Sequence, residues 1–318
     1  MKDKKTLLEI LPKELQSRMA EESLVYADLQ EIRLRMYKPV IVLMQGEEFF
    51  LKEEGGVTQE REKSYCVSRK ALQDMLEFVT GYSLYAFEDE VGQGYLTIRG
   101  GHRVGLAGRV LVREGEVSTM KNITCLNMRI AHEIKGCADL LLHFLIEGDR
   151  LCNTLLVSPP GMGKTTLLRD LIRQLSDGCE ECKGMTVGVV DERSEIAASY
   201  LGIPQNDVGV RTDVLDGCPK AEGMRMLLRS MSPKVLAVDE IGGEDELSAM
   251  RYAMYGGCKI LATVHGDTYA QLQQKPVFTD ILKQGFFERI VVLKGMPGKN
   301  QAMEIYDKKG KMVYGGSM

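Results

Sequence analysis

Short apolar runs alternate with helical patterns of apolar residues through the second half of the chain. The runs contain few polar residues and end in polar or acidic ones, which is typical of strands buried on both faces of a parallel sheet. This alternation predicts an α/β domain with a mostly parallel, doubly wound sheet. The predicted strands cover residues 151–157, 186–190, 235–238, 259–264 and 289–293, and residues 303–306 and 311–314 form a closing hairpin.

The first half of the chain has shorter strand patterns. Its apolar spacing predicts a helix over residues 7–29, with Pro12 near its start, and half-buried strands over residues 31–36 and 40–44. Ser68 is the expected N-cap of a helix that runs through Val79, and glycine-containing strands follow over residues 94–110. We therefore predict a smaller α+β domain over residues 1–134, followed by the α/β domain over residues 135–318.

A glycine-rich stretch joins the first strand of the α/β domain to its first helix, and it reads Ser158-Pro159-Pro160-Gly161-Met162-Gly163-Lys164-Thr165-Thr166. Strand, glycine-rich turn, Lys-Thr and helix form the layout of a phosphate-binding P-loop. The two glycines let backbone N–H groups surround phosphate oxygens, and the helix N-terminus adds its positive dipole end. Lys164 is predicted to contact the β- and γ-phosphates of a nucleotide, and Thr165 to offer its hydroxyl to Mg²⁺.

A second apolar strand, residues 235–238, ends in the acidic pair Asp239-Glu240. This is the Walker B arrangement, in which a carboxylate at the carboxyl end of a strand holds Mg²⁺. We predict that role for Asp239, and we expect Glu240 to polarise the attacking water.

Two further strands end in polar residues that could reach the same site. The first ends in Asp191-Glu192, and either carboxylate could orient water or metal or simply form salt bridges at the start of a loop. Whether Glu240 or Glu192 is the main catalytic acid therefore stays open. The second ends in Thr263-Val264-His265, and Thr263 or His265 is predicted to sense the γ-phosphate by a hydrogen bond.

Residues 202–219 show no periodicity, and we predict a long loop there, followed by a helix over residues 221–231. Loops of this length in compact domains tend to be functional. An interface or pore-lining role is the hypothesis for this segment.

Charge and composition limit the partners and the location. The chain has 318 residues and a net charge of −4, so no global positive field argues for a nucleic-acid partner. It has no apolar stretch of membrane-spanning length, and the N-terminus has no apolar signal core. We expect a cytoplasmic protein, at most peripheral on a membrane, whose eight cysteines are reduced.

The order of these motifs resembles that of the secretion and traffic ATPases, which serve type II and type IV secretion and pilus retraction. The N-terminal half is similar to them in EIRLRMYKPVIVLMQGEEFFL and in GGHRVGLAGRV. A closer likeness is to the sporulation stage III AA family of endospore-forming bacteria, in the segments SPPGMGKTTLLRDLIR, VVDERSEIAA, GIPQNDVGVRTDVLDGCPKAEGM, RSMSPKVLAVDEIGG and ATVHG. The chain departs from the wider traffic group at Ser158, where glycine is usual, and at Asp239, where many relatives have glycine.

The resemblance implies a RecA-like P-loop ATPase domain that uses ATP and Mg²⁺. It also implies a homo-oligomer, a hexamer, docked on membrane proteins of a channel between mother cell and forespore, with the N-terminal domain at the interface between subunits or partners. Arg103, Arg109 and Arg129 fall near the family's N-terminal arginines that reach a nucleotide across a subunit interface. A structural salt bridge is the alternative role for each of them.

Three functions remain open on the sequence. The first is an ATP-hydrolysing motor or assembly ATPase, the second a nucleic-acid-handling P-loop ATPase, and the third a scaffold that binds ATP without useful turnover. The net charge and the absence of tryptophan count against the second. The complete set of Lys164, Asp239 and Glu240 counts against the third.

Overall fold

The structure, a computed structural model, describes residues 4–20, 24–81, 87–113, 115–296 and 299–317. The chain divides into two compact units. The first comprises Met1–Glu133 together with Ala198–Gln205, and the second comprises Ile134–Ala197 together with Asn206–Met318.

The first unit is built on an antiparallel sheet. Its strands are β1 (Leu29–Arg35), β2 (Ile41–Met44), β3 (Glu47–Leu51), β4 (Val57–Thr58), β5 (Tyr95–Ile98), β6 (His102–Arg113) and β7 (Glu116–Arg129). They lie in the order β4-β3-β2-β1-β7-β6-β5. Its helices are α1 (Lys4–Glu9), α2 (Lys13–Met19), α3 (Arg69–Val79) and α4 (Glu88–Gln93).

Alternation along β1 explains how this sheet divides core from solvent. Ile32 and Leu34 are buried in one hydrophobic cluster, whereas Glu31, Arg33 and Arg35 occupy the opposite face. The helix predicted after Ser68 is confirmed, because the Ser68 hydroxyl accepts the N–H of Ala71 at 2.9 Å at the start of α3.

The single helix predicted over residues 7–29 is wrong. The chain forms α1 and α2 instead, and Leu29 begins β1; residues 21–23 lie outside the described part. Pro12 lies between the two helices with φ −58° and ψ 148°, which is extended backbone. Proline has no N–H for a helical hydrogen bond and disfavours helix in the residue before it, so the apolar spacing is shared by two short helices.

The second unit contains a small hairpin of β8 (Ile146–Glu147) and β9 (Arg150–Leu151). Its main sheet holds β10 (Thr154–Ser158), β11 (Val187–Asp191), β12 (Thr212–Asp216), β13 (Val235–Val238), β14 (Lys259–His265), β15 (Arg289–Met296), β16 (Lys299–Asp307) and β17 (Met312–Ser317). They lie in the order β12-β11-β13-β14-β10-β15-β16-β17. Its helices are α5 (Asp139–Leu145), α6 (Lys164–Asp177), α7 (Lys220–Ser230), α8 (Glu244–Tyr255), α9 (Tyr269–Gln274) and α10 (Pro276–Lys283).

The mostly parallel, doubly wound sheet is confirmed. The strands from β12 to β15 in the sheet order run parallel. Strand β16 pairs antiparallel with β15, and β16 and β17 form the predicted closing hairpin. Neighbouring residues of β10 point to opposite faces, because Leu156 packs with α5 and α6 whereas Leu155 packs with α7, α8 and α10. The helices therefore cover both faces of the sheet.

Two strand predictions need correction. The strand predicted over residues 151–157 begins at Thr154, because Leu151 pairs with Ile146 in the β8–β9 hairpin. The loop predicted over residues 202–219 contains β12, an edge strand that pairs in parallel with β11. An edge strand with one paired side and intermediate burial lacks the apolar run by which buried strands are recognised.

Candidate nucleotide-binding site

The predicted P-loop forms a strand, a tight turn and a helix. Ser158 ends β10 fully buried, and the residues from Pro159 to Gly163 form the turn into α6. Gly161 and Gly163 have φ values of 77° and 83°, a conformation that residues with a Cβ rarely adopt. Both glycines are therefore required by the backbone that would wrap a phosphate. Thr166 lies in the first turn of α6, and the carbonyl of Met162 accepts from the Gln301 amide at 3.2 Å.

Lys164 is the first residue of α6, and only 4% of it is exposed. Its Nζ atom lies 3.1 Å from Nδ1 of His265. Burial lowers the pKa of Lys164, while the negative charges of Asp239, Glu240 and Glu195 oppose that shift. The position of Lys164 at the N-terminus of α6 is the feature that favours an anionic ligand there.

Asp239 follows β13 and lies at the centre of a hydroxyl network. Its Oδ2 atom accepts from the Thr165 hydroxyl at 2.6 Å, and its Oδ1 atom accepts from the Thr263 hydroxyl and from the N–H of Glu240 at 3.1 Å. Mg²⁺ is commonly held by one or two protein oxygen ligands together with phosphate oxygens and water. The hard oxygens of Thr165 and Asp239 fit that requirement. Among the described residues, no group of three or more His, Cys, Asp or Glu side chains could hold a metal ion by itself.

Glu240 has φ 52°, in the left-handed region that is uncommon for residues other than glycine. Its carboxylate is bound on both sides, since Oε1 lies 2.7 Å from Nε2 of His265 and Oε2 lies 3.0 Å from Nη1 of Arg193. Because His265 also contacts Lys164, the P-loop lysine and Glu240 are joined through one imidazole ring. These side chains lie close together because β10 and β14 run parallel and end at the same side of the sheet. Ser158, the last residue of β10, pairs directly with His265, the last residue of β14.

The two acids at the end of β11, Asp191 and Glu192, have different environments. Asp191 is buried, and its carboxylate accepts the backbone N–H groups of Glu195, Ile196 and Ala197. Burial raises the pKa of Asp191 to about 6, although those N–H groups act to lower it. Asp191 and Glu192 both line the cleft that Lys220, Asp239 and Glu240 also line. The carboxylate of Asp191 is engaged in shaping its own loop, whereas that of Glu192 contacts Lys220 at 3.1 Å.

The predicted arginines lie on the sheet of the first unit. Arg103 of β6 and Arg129 of β7 are direct cross-strand partners and so share one face. Arg129 contacts Glu31 at 3.3 Å, and the Arg103 guanidinium lies 3.5 Å from the centre of the Tyr95 ring. Arg109 is exposed farther along the β6–β7 ribbon, beyond a register shift. The structure therefore groups Arg103 with Arg129 and not with Arg109.

Two cations of the cleft are missing from the sequence prediction. Arg193 contacts Glu240, and Lys220 contacts Glu192, Glu246 and the backbone of Glu240. One signal for Lys220 exists in the sequence, because a lysine in the first turn of a helix is disfavoured by the helix dipole.

In the part of the chain that the structure describes, no helix is both long and apolar enough to cross a membrane.

Comparisons with known proteins agree in sequence and in structure. The family model described as "Sporulation stage III, protein AA" matches residues 1–313. Stage III sporulation protein AA of Bacillus subtilis (strain 168) is 38% identical over 308 residues, which cover 96% of each chain. The uncharacterized protein ycf45 of Porphyra purpurea is 28% identical over 218 residues, which cover 62% of this chain and 37% of that one.

The similar solved structures include a pilus retraction motor and an ATPase. The pilus retraction motor PilT with bound ADP has a TM-score of 0.59 and 15% identity, and the match covers 94% of this chain and 82% of PilT. The ATPase DotB of Legionella pneumophila has a TM-score of 0.57 and 15% identity, and the match covers 88% of this chain and 77% of DotB. These likenesses show that the chain has a RecA-like fold. Since the family model and the Bacillus relative both extend over nearly the whole sequence, the chain belongs to the sporulation stage III protein AA family.

Proposed function

We propose that this protein binds ATP with Mg²⁺ and hydrolyses it as the ATPase of a sporulation channel complex between mother cell and forespore. The observation that carries the proposal is the convergence of Lys164, Thr165, Asp239 and Glu240 at one edge of the parallel sheet. A 2.6 Å hydrogen bond joins Thr165 to Asp239, and His265 connects Lys164 to Glu240. Binding crevices of open α/β sheets lie at this edge.

The residues of this site divide the chemistry among them. The N–H groups around Gly161 and Gly163 and the Lys164 ammonium bind the phosphates. Thr165 and Asp239 would hold Mg²⁺, which supplies charge neutralisation on the β- and γ-phosphates when bound. Glu240 accepts a proton from the attacking water, and Glu192 is the second acid within the same cleft. His265 lies between Lys164 and Glu240, where it can transmit the presence of the γ-phosphate to the catalytic acid.

The assembly proposed for this function is a hexamer in which residues 1–134 form the interface domain and residues 135–318 the ATPase domain. Arg103 and Arg129 are the arginines we propose to complete the nucleotide site of a neighbouring subunit, and Arg109 is the third candidate. Their shared face supports this role, because two adjacent guanidinium groups can neutralise the charge that develops on the phosphates. We propose a cytoplasmic location on the mother-cell side, with membrane proteins of the channel as partners.

Glu240→Gln tests the catalytic part of the proposal. The variant keeps the size of the side chain but cannot accept the proton, so we expect turnover to fall by about 10²–10⁴-fold while ATP and Mg²⁺ still bind. The measurements are steady-state phosphate release and calorimetric titration with ATP. Wild-type turnover in this variant would assign the base to Glu192, and the same substitution there provides the comparison.

The same assays separate the other two functions. Stimulation of turnover by DNA, with binding that weakens steeply as salt rises, would support nucleic-acid handling. Nucleotide binding without turnover in the oligomer would support a nucleotide-gated scaffold.

A further inference from the structure

The backbone of Glu240 is held in an uncommon conformation by groups outside its own loop. Its φ of 52° lies in the left-handed region, which residues with a Cβ atom rarely adopt because the Cβ comes too close to the backbone carbonyl oxygen. The N–H of Glu240 donates to the Thr263 hydroxyl at 2.9 Å, and its carbonyl accepts from Nζ of Lys220 at 2.9 Å. Such a conformation persists only where surrounding contacts over-determine it.

Lys220 supplies one of those two contacts from a different element. It is the first residue of α7, and 12% of its side chain is exposed. Its Nζ atom lies 3.1 Å from Oε2 of Glu192 and 3.5 Å from Oε1 of Glu246. The three N–H groups of the Lys220 ammonium thus meet three oxygen acceptors. These belong to Glu192 in the loop after β11, to the backbone of Glu240 in the loop after β13 and to Glu246 in helix α8.

Glu246 extends the same support along the chain. Its Oε2 atom accepts the N–H groups of Gly242 and Gly243 at 2.7 and 3.1 Å, at the start of α8. The segment from Glu240 to Gly243 is therefore bound at its first carbonyl by Lys220 and at its end by a carboxylate that Lys220 also contacts.

We infer that Lys220 is a positioning residue that holds the Glu240 peptide in its left-handed conformation and so aims the Glu240 carboxylate at the reacting water. The inference rests on the proposed ATPase function and adds a residue to it. Lys220 does not reach the P-loop in any contact described above, and its effect passes through Glu240 and Glu192. Its ammonium also offsets the mutual repulsion of the Glu192 and Glu246 carboxylates, which it contacts at 3.1 and 3.5 Å.

Lys220→Met tests this inference, because methionine keeps much of the length but offers neither charge nor donor. We expect kcat to fall by about tenfold or more, since small misplacement of a catalytic group is costly. ADP affinity by calorimetry and KM should stay within about threefold, because the phosphate-binding residues are unchanged. Lys220→Arg should restore most of kcat, because a guanidinium keeps both charge and donors.

Lys234→Met is the matched control, since Lys234 is an exposed lysine immediately before β13, at the end of the strand opposite Glu240. It should retain wild-type kcat. If Lys220→Met does not fold, Lys220→Gln keeps one donor for the Glu240 carbonyl, and we expect its kcat to lie between those of wild type and Glu240→Gln.

The outcomes distinguish the positioning role of Lys220 from the proposed ATPase function. Wild-type kcat in Lys220→Met or Lys220→Gln overturns the positioning role and leaves the ATPase proposal standing. A parallel loss of kcat, ADP affinity and melting temperature, with no rescue by Lys220→Arg, also overturns it, because that pattern describes a residue needed only for folding. Absence of turnover in the wild-type oligomer overturns the ATPase proposal first and this inference with it.

Discussion

Lys164 shows how a single residue is shaped by opposing effects. The residue is almost entirely buried, which lowers the pKa of its ammonium, yet the carboxylates of Asp239 and Glu240 favour the charged form. In the ATP-binding site that we propose, a nucleotide phosphate would add negative charge beside this ammonium. We therefore expect the positive charge of Lys164 to stabilise the nucleotide-bound state more than the nucleotide-free state.

Replacement of Lys164 by alanine should weaken ATP binding. Hydrogen bonds to charged groups contribute about 1.5–3 kcal/mol, so we expect affinity to fall roughly 10–100-fold. Calorimetric titration with ATP measures the change. Lys283→Ala, at an exposed lysine that ends α10, is the control and should bind as wild type does. Unchanged affinity in Lys164→Ala would remove the P-loop assignment.

Asp191 gives a prediction about pH. Its pKa is raised to about 6 by burial, above the ordinary value of 3.8, so the native state holds the proton more tightly than the unfolded chain. The stability that this contributes is fully present below pH 3.8 and is lost as pH rises through 6. At about 1.36 kcal/mol per pKa unit, the loss amounts to roughly 3 kcal/mol.

Asp191→Asn isolates this effect, because asparagine does not titrate. We expect the free energy of unfolding of wild type, relative to the variant, to fall between pH 4 and pH 7. Chemical denaturation at a series of pH values measures it. Parallel pH profiles for the two proteins would show that Asp191 does not titrate in this range.

At the scale of elements, α6 links the phosphate loop to the core. The helix starts at Lys164 and buries Leu167, Leu168, Leu171 and Leu175 in the cluster that covers one face of the sheet. The P-loop is therefore anchored by apolar packing of the helix that follows it. If α6 were not packed in this way, the loop would not be held in the conformation that Gly161 and Gly163 adopt.

Leu171→Ala tests the anchoring. Loss of a fully buried leucine costs about 2–5 kcal/mol, and we expect the free energy of unfolding to fall by that amount. Leu140→Ala on α5 is the matched control, because 41% of Leu140 is exposed and its truncation should change stability by no more than about 0.5 kcal/mol. Equal losses in urea denaturation would contradict the packing of α6.

At the scale of the whole molecule, the arginine face and the proposed nucleotide site belong to different units of the chain. The face carries Arg103 and Arg129 on adjacent strands, and the site lies at the carboxyl edge of the parallel sheet. In the hexamer that we propose, an arginine of one subunit completes the site of the next.

ATPase activity should accordingly rise more than linearly with protein concentration. At least one of Arg103→Ala, Arg109→Ala and Arg129→Ala should lower turnover without abolishing nucleotide binding. We expect the largest effect at Arg103 or Arg129, because these two lie side by side. Turnover and sedimentation measured over the same concentration range test the coupling.

Mixing provides the sharper experiment. An inactive arginine variant combined with Lys164→Ala protein should regain part of the activity, because one supplies the intact P-loop and the other the intact arginine. Activity strictly proportional to concentration in a proven monomer, with all three arginine variants fully active, would exclude the shared site.

The sequence by itself determined the parts that depend on neighbours along the chain. The P-loop, the acidic pair after β13 and the alternation that produces a parallel sheet are local patterns, because backbone conformation and burial periodicity act over a few residues. The tertiary structure decided what depends on residues far apart. It turned part of the loop before Pro219 into the edge strand β12, buried Asp191 among backbone N–H groups and brought Lys220 to Glu240. These contacts form only when parallel strands place their carboxyl ends at one edge, and no spacing along the chain records them.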